Sequence, residues 1–222
     1  MKKQALLKFI QTRTGFLTLL VILFWIKYLF VGYFDFNLGL SDPYQHIIMW
    51  TSPLGTSILL ISIGFYFPKP VVSYVMMLIM DGLNTVLLFA NVLYYRQFSD
   101  FITVKTITNA AKVAPGLGKS AVSLLNPTDI FIWIDIGVVI ILLVFKKIKI
   151  DQRSYGLSTP FAISSFGVFL VGLNIFLAES SRPRLLRNTL DRSYVVKYLG
   201  LDTYTAYDGI KSAQTVQDNK SI

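Results

Sequence analysis

Two residues of opposite charge lie inside apolar stretches of this sequence, where a charge is costly unless it is paired or hydrated. Lys27 falls in the first such stretch and Asp135 in the fourth. If both stretches are helices that cross a membrane, a rise of about 1.5 Å per residue brings the two side chains to similar depth. The placement predicts an ion pair between them. The alternative is that Lys27 extends its ammonium group alone to the outer membrane surface.

A stripe of polar residues lies near the middle of the third apolar stretch. It contains Asp81, Asn84, Thr85 and Asn91, which fall on roughly one face of a helix. Within a membrane such side chains most often join helices through hydrogen bonds, which is the interpretation we favour. The alternative is a hydrated groove that holds a lipid headgroup or an ion.

Basic residues gather towards the end of the sequence, and one more follows the third apolar stretch. These are Arg182, Arg184, Arg187, Arg192 and Lys197, together with Arg96. A guanidinium group offers a fork of N–H donors that suits phosphate oxygens. We therefore predict that these six residues bind lipid headgroups. The alternative is a general attraction to an anionic membrane surface.

No group of residues forms a complete catalytic or metal site. The sequence has no cysteine and a single histidine, His46, so thiolate metal sites are excluded and no Ser-His-Asp triad stands out. The string GLGKS at Gly116–Ser120 is similar to a phosphate-binding loop, but Val113 stands where that motif requires glycine. We predict no catalytic residue, metal or cofactor in this chain. The net charge of +9 comes with no nucleic-acid reading motif, so nucleic acid is not an expected partner.

Five apolar stretches can place these residues in a membrane. Only 15% of the residues are charged, against about 25% in soluble domains. A helix of about 20 apolar residues crosses the hydrocarbon layer, and only paired backbone groups are tolerated there. We predict an all-α, multi-pass cell-membrane protein with five transmembrane helices: Gly15–Phe34, Ile47–Phe67, Pro70–Tyr95, Pro127–Phe145 and Pro160–Ala178. The first follows a basic leader but lacks a cleavage site for signal peptidase, so we expect it to be retained.

The distribution of lysine and arginine predicts the orientation. With the N-terminus inside the cell, inner segments carry nine such residues beside helix ends and outer loops carry four. The excess inside favours an N-in, C-out topology. The transmembrane domain would then comprise residues 1–178, and residues 179–222 would be extracellular.

Two segments are predicted to form amphipathic helices on the outer face. The first is Ser181–Gly200, whose apolar face would lie in the membrane or pack against a following domain. The second is the long loop Arg96–Asn126, with helical runs at Ile102–Val113 and Lys119–Leu125.

Two stretches resemble segments of the lipoteichoic acid synthase family. They are NVLYYRQFSDF at Asn91–Phe101 and AESSRPRLLRNTLDRSYVVKYLGLDTYTAYDG at Ala178–Gly209. The resemblance is most specific in the AE-xx-RP-xLL opening, the YVVKYLG centre and the Y-xx-YDG close. The layout of five spans followed by an outward segment is also similar to that of the family, whose N-terminal transmembrane module this chain resembles.

The resemblance implies a function for the full-length protein. Family members are phosphoglycerol transferases of the Gram-positive cell surface, which take glycerol phosphate from phosphatidylglycerol and build lipoteichoic acid on a glycolipid anchor. Their catalytic domain is extracellular and sulfatase-like, with a nucleophilic threonine and a manganese ion, and it would follow Gly209. Three alternatives remain: a primase-type paralogue, a non-enzymatic scaffold that binds cell-envelope machinery, and a small transporter.

Overall fold

The computed structural model describes residues 7–109, 122–187 and 191–220, and within these ranges the chain forms helices and turns without any strand. Five helices are long and apolar enough to cross a membrane, which confirms the five predicted spans. They are α1 (Arg13–Phe34), α2 (Pro43–Ser62, extended by a 3₁₀ turn to Tyr66), α3 (Pro70–Phe98), α4 (Ile130–Val144, preceded by a 3₁₀ turn from Pro127) and α5 (Ser158–Ser181). Two further helices follow, α6 (Arg192–Leu199) and α7 (Leu201–Lys220).

Local sequence signals explain where the second span begins. Helix α2 starts at Pro43, four residues before the predicted Ile47. The Asp42 side chain accepts from the N–H of Tyr44, and Gln45 completes a reciprocal capping box. Proline at the first helical position needs no hydrogen-bond acceptor, so this start leaves few polar groups unpaired.

The helices form a bundle in which α2 is central. It packs most extensively against α5 and then against α1, and it also contacts α3, α6 and α7. Gly167 in α5 permits the close approach, because a Cβ there would lie 2.9 Å from Cγ of Leu59. We call the end of the bundle that contains residues 7–12, 67–69 and 145–157 the N-terminal face. The opposite end, with residues 35–42, 99–109, 122–126, 182–187 and 191–198, is the C-terminal face.

The prediction of one helix over Ser181–Gly200 is wrong. Helix α5 continues to Ser181, and α6 begins only at Arg192. The Asp191 side chain accepts from the N–H of Tyr194, which satisfies a free donor in the first turn of α6 and sets its start. The predicted end at Gly200 is confirmed.

The long loop is described only in part. A helical segment at residues 104–109 lies within the predicted run Ile102–Val113. The remainder of that run, the GLGKS string at Gly116–Ser120 and the first residues of the run Lys119–Leu125 lie outside the described residues.

A buried arginine joins the first span to the loop after the fourth at the N-terminal face. Arg13 is 1% exposed, and its guanidinium donates to the carbonyl oxygens of Asp151 (3.4 Å) and Arg153 (3.1 Å). The Asp151 carboxylate in turn accepts from the Arg13 backbone N–H (3.2 Å) and from the Tyr155 hydroxyl (2.7 Å). The Tyr74 hydroxyl of α3 accepts from the N–H of Asp151 (3.2 Å), so three parts of the bundle meet here.

The same hydrogen bonds set the charge state of Asp151. Burial alone would raise the pKa of this carboxyl, but the hydrogen bonds from Tyr155 and from the N–H groups of Arg153 and Arg13 lower it overall. A carboxyl with a lowered pKa in the folded state stabilises the fold when ionised, and this contribution is lost as the pH falls through that pKa.

An intramembrane ion pair joins α1 to α4 at mid-depth. Nζ of Lys27 lies 2.8 Å from Oδ2 of Asp135, and the two side chains are 4% and 12% exposed. Lys27 also donates to Oγ1 of Thr85 in α3 (2.9 Å). The expected Lys27–Asp135 pair is therefore present, and Thr85 brings the third span into the same cluster.

The polar stripe of α3 faces the interior of the bundle. Asp81, Asn84, Thr85 and Asn91 are all at most 4% exposed. Asn91 is used at the C-terminal face, where its Oδ1 accepts from the N–H of Ile102 (3.0 Å) and holds the start of the loop. Neither carboxylate oxygen of Asp81 has a hydrogen-bond partner within the described part of the chain.

The hydrogen bonds of the Asp151 carboxylate at the N-terminal face predict that the stability of the protein depends on pH. Asp151→Asn should lower the free energy of unfolding by about 1.5–3 kcal/mol at neutral pH, because hydrogen bonds to a charged acceptor are lost. The difference from the unmodified protein should be full above the unfolded-state pKa of about 3.9 and should shrink below it. Unfolding in detergent, followed by circular dichroism across this pH range, measures both the loss of stability and its pH dependence.

As a control, Arg153→Gln removes a partner that is 72% exposed and should cost at most about 1 kcal/mol. A pH-independent difference contradicts the assignment.

The intramembrane pair predicts a non-additive mutant cycle. Lys27→Met and Asp135→Leu should each destabilise the bundle by about 3–5 kcal/mol, because each leaves one buried charge uncompensated. The double variant should be close to the unmodified protein, since an apolar pair replaces an ion pair in an apolar setting. Melting temperatures of the four proteins in one detergent measure the coupling, and simple additivity of the two losses argues against a functioning pair.

Candidate functional site

The connection between α6 and α7 is buried inside the bundle. We call residues 199–203 the junction. Leu199 and Thr203 are both 0% exposed, and Leu201 is 2% exposed. The junction contacts Tyr28 in α1 and Asn174 in α5, which lie six and seven residues before the ends of their helices. At about 1.5 Å per residue the junction is therefore seated roughly 10 Å below the C-terminal face.

Side chains from three spans hold the junction. The Tyr28 hydroxyl of α1 accepts from the N–H of Leu201 (3.0 Å). Nδ2 of Asn174 in α5 donates to the carbonyl of Leu199 and to Oγ1 of Thr203, both at 2.8 Å. Oγ of Ser52 in α2 lies 3.0 Å from the same Oγ1 of Thr203. These contacts replace the hydrogen bonds that the break between two helices removes.

Glycine is required at the centre of the junction. Gly200 has φ +86° and ψ 148°, a backbone conformation that residues with a side chain rarely adopt. A Cβ at this position would also lie 2.1 Å from Oγ of Ser52. Gly200 therefore ends α6, turns the chain and lets the backbone approach α2 closely.

Helix α6 packs its apolar side on the start of α2 and also contacts α5. Val195, Val196 and Tyr198 are buried, and the Tyr198 ring stacks on Tyr44 at the start of α2 with centroids 6.4 Å apart. The Arg182 guanidinium lies 4.8 Å from the Tyr198 ring centroid and donates to its hydroxyl (3.0 Å). The apolar face of α6 is thus occupied by the bundle itself.

Two of the six residues predicted to bind headgroups are held by carboxylates. The Arg96 guanidinium donates to both oxygens of Asp129 (2.9 and 2.7 Å) and to Asp35, which links α3 to the ends of α1 and α4. Arg192 forms an ion pair with Asp100. Both arginines therefore fasten segments of the C-terminal face to one another.

The other predicted cations are more accessible. Arg182, Arg184 and Arg187 are exposed and Lys197 is half-buried. Arg182 rests on Tyr198 as described above. Arg184, Arg187 and Lys197 make no ion pair within the described residues.

The described part of the chain contains no group of three His, Asp or Glu side chains that could hold a metal ion. His46 instead lies beside Tyr33, with 2.9 Å between its Nδ1 and the tyrosine hydroxyl. The residues described here do not fit the manganese ion that the family resemblance implies.

The residues that hold the junction were not predicted from the sequence. Ser52, Asn174 and Thr203 are uncharged, so no rule about buried charge singled them out. One signal was available, because Asn174 carries the only amide side chain in the predicted fifth span Pro160–Ala178.

Comparison with known proteins gives a consistent result. Residues 1–221 match the family model of the lipoteichoic acid synthase N-terminal domain. The chain is 38% identical over 209 residues to lipoteichoic acid synthase 2 of Bacillus subtilis (strain 168), which covers 93% of this chain and 32% of that protein. It is 35% identical over 206 residues to the lipoteichoic acid synthase of Staphylococcus aureus (strain COL), which covers 93% of this chain and 31% of that protein. No solved structure matches.

The chain spans about a third of the length of the curated relatives it matches. The similarity nevertheless extends over nearly all of its own residues and includes both the five spans and the junction. This chain belongs to the lipoteichoic acid synthase family.

Proposed function

We propose that this chain is the membrane module of a phosphoglycerol transferase that polymerises glycerol phosphate from phosphatidylglycerol on a glycolipid anchor. Membership of the lipoteichoic acid synthase family supports this reaction class. The module would lie in the cell membrane with its N-terminus inside and its C-terminal face outside, as the lysine and arginine distribution favours. A sulfatase-like, manganese-dependent catalytic domain would follow α7 and carry the chemistry.

The observation that carries the role of the module is the buried junction. Helix α7 starts inside the bundle at Leu201 and is held there by three spans, and its later residues Ile210–Gln217 are largely exposed. A helix fixed at its base leaves the bundle in one direction, whereas a flexible linker would allow many. The module would therefore hold the next domain at a set position relative to the membrane, where both lipid substrates reside, and restricted position raises the rate of encounter.

The accessible arginines add a second element to the proposal. Arg184 and Arg187 are exposed on the C-terminal face near the end of α5. Basic residues close to an anionic membrane surface each contribute about 1 kcal/mol of attraction. We propose that they concentrate phosphatidylglycerol beside the anchored domain, while Arg96 and Arg192 stabilise the face itself.

The junction predicts a selective loss of polymer synthesis. Gly200→Ala places a Cβ against Ser52 and requires an unfavourable backbone conformation, which costs about 1–3 kcal/mol and should release the base of α7. In the full-length protein, polymer output should fall at least severalfold. Hydrolysis of a soluble substrate analogue by the catalytic domain should not change, because only the position of that domain is altered.

A matched control lies in the same helix. Gly209→Ala adds the same methyl group where nothing lies within 4 Å, and it should leave polymer output unchanged. Membrane levels of both variants are compared by immunoblotting. Normal output from Gly200→Ala would argue against an anchoring role, and equal loss from both substitutions would indicate a general effect on α7.

A further inference from the structure

A cavity of about 180 Å³ with several polar side chains in its lining lies on the C-terminal face beside α7, between the segment that follows α3 and helix α6. Its volume corresponds to roughly six water molecules. The polar side chains that matter are Lys105, Arg192, Tyr204, Tyr207, Asp208 and Lys211. Asp208 lies five residues after Thr203 and so about 7.5 Å further along α7, which brings the cavity near the level of the ends of the spans.

Two lysines give the cavity unneutralised positive charge. Lys105 and Lys211 are exposed, and neither forms an ion pair within the residues that the structure describes. Nζ of Lys211 lies 5.8 Å from the centroid of the Tyr207 ring, which orients the ammonium group beside the opening. Arg192 contributes less, because Asp100 already pairs with it.

The remaining polar groups fix the walls of the cavity. One carboxylate oxygen of Asp208 accepts from the backbone N–H of Val104 (2.7 Å), which ties α7 to the segment that carries Lys105. The Tyr207 hydroxyl donates to the carbonyl of Leu186 (3.4 Å). Burial and the nearby Asp208 carboxylate raise the pKa of Tyr204 to about 12, so its hydroxyl stays protonated and able to donate. Both lysines therefore line one opening, carried by two segments that the Asp208–Val104 hydrogen bond joins.

We propose that this cavity binds a phosphate-bearing anion, with Lys105 and Lys211 as its two charged contacts. Three cations line the cavity, against the carboxylate of Asp208 in its wall and that of Asp100 on Arg192, so the group carries a net charge of +1. Asp208 forms no ion pair with either lysine within the described residues. Phosphate oxygens accept several hydrogen bonds at once and suit ammonium and hydroxyl donors. The inference goes beyond the proposed function, because it concerns binding by this chain alone and requires no catalytic domain.

The anion could be the headgroup of a phospholipid or a water-soluble phosphate ester, and the experiment separates the two. The 222-residue chain is purified in detergent. Native mass spectrometry measures retention of added phosphatidylglycerol against phosphatidylcholine, and isothermal titration calorimetry measures binding of glycerol phosphate. Each is repeated with Lys105→Gln/Lys211→Gln and with Lys147→Gln/Lys149→Gln. The second pair removes the same charge from exposed positions on the N-terminal face.

We expect the cavity variant to bind roughly tenfold to thirtyfold more weakly than the unmodified chain, and the control variant to bind almost as well. Lys105→Arg/Lys211→Arg, which keeps both charges, should retain most of the affinity. Loss confined to phosphatidylglycerol identifies a lipid headgroup as the ligand, and loss of glycerol phosphate as well identifies phosphate esters in general. Equal affinities of the cavity and control variants in both assays would overturn the proposal.

Discussion

A break between two helices inside an apolar bundle exposes backbone groups that lipid cannot satisfy. Helix α6 ends and α7 begins at such a break. Three of these groups have partners on the spans: Asn174 donates to the carbonyl of Leu199, and Tyr28 accepts from the N–H of Leu201. Ser52 accepts from the N–H of Thr203 at a longer 3.4 Å. Because these partners come from α1, α2 and α5, the junction can be buried only when those three spans are already packed together.

Polar pairing also places the fourth span, which has little apolar burial of its own. Within α4 only Ile132 and Val139 are buried, so apolar packing constrains its rotation and height weakly. Polar links connect this part of the chain to α1 and α3 at three depths: Arg96–Asp129, Lys27–Asp135 and Arg13–Asp151. A charged pair tolerates little sliding in a low-dielectric setting. The two ion pairs, together with the hydrogen bonds between Arg13 and Asp151, therefore define the register of α4 more narrowly than leucine and isoleucine contacts would.

The spans could be predicted from the sequence because length and apolarity are local properties. The Lys27–Asp135 pair was also predictable, since helix geometry converts sequence position into depth. The surroundings of Arg96 were not. Its partners Asp35 and Asp129 are 61 and 33 residues away, and only the packed bundle brings them together.

The end of the chain shows a different limit of prediction. An apolar stripe on a short helix looks the same whether it faces lipid, a second domain or the ends of other helices. The sequence of α6 could not separate these cases, and its buried face lies against α2 and α5. The insertion of Gly200 was equally hidden, because a glycine after a helix is the usual way to end one at any surface.

The two features of α7 are physically connected. Thr203, which is held by Asn174, and Lys211, which lies at the cavity, are eight residues apart on one helix, or about two turns. A ligand that contacts both Lys211 and Lys105 binds best when α7 is packed in the bundle, since only then do the two lysines line one cavity. By thermodynamic linkage, the free energy by which the ligand stabilises the packed position of α7 equals the gain in ligand affinity that this position provides. Occupancy of the cavity and the position of whatever follows α7 are therefore expected to depend on each other.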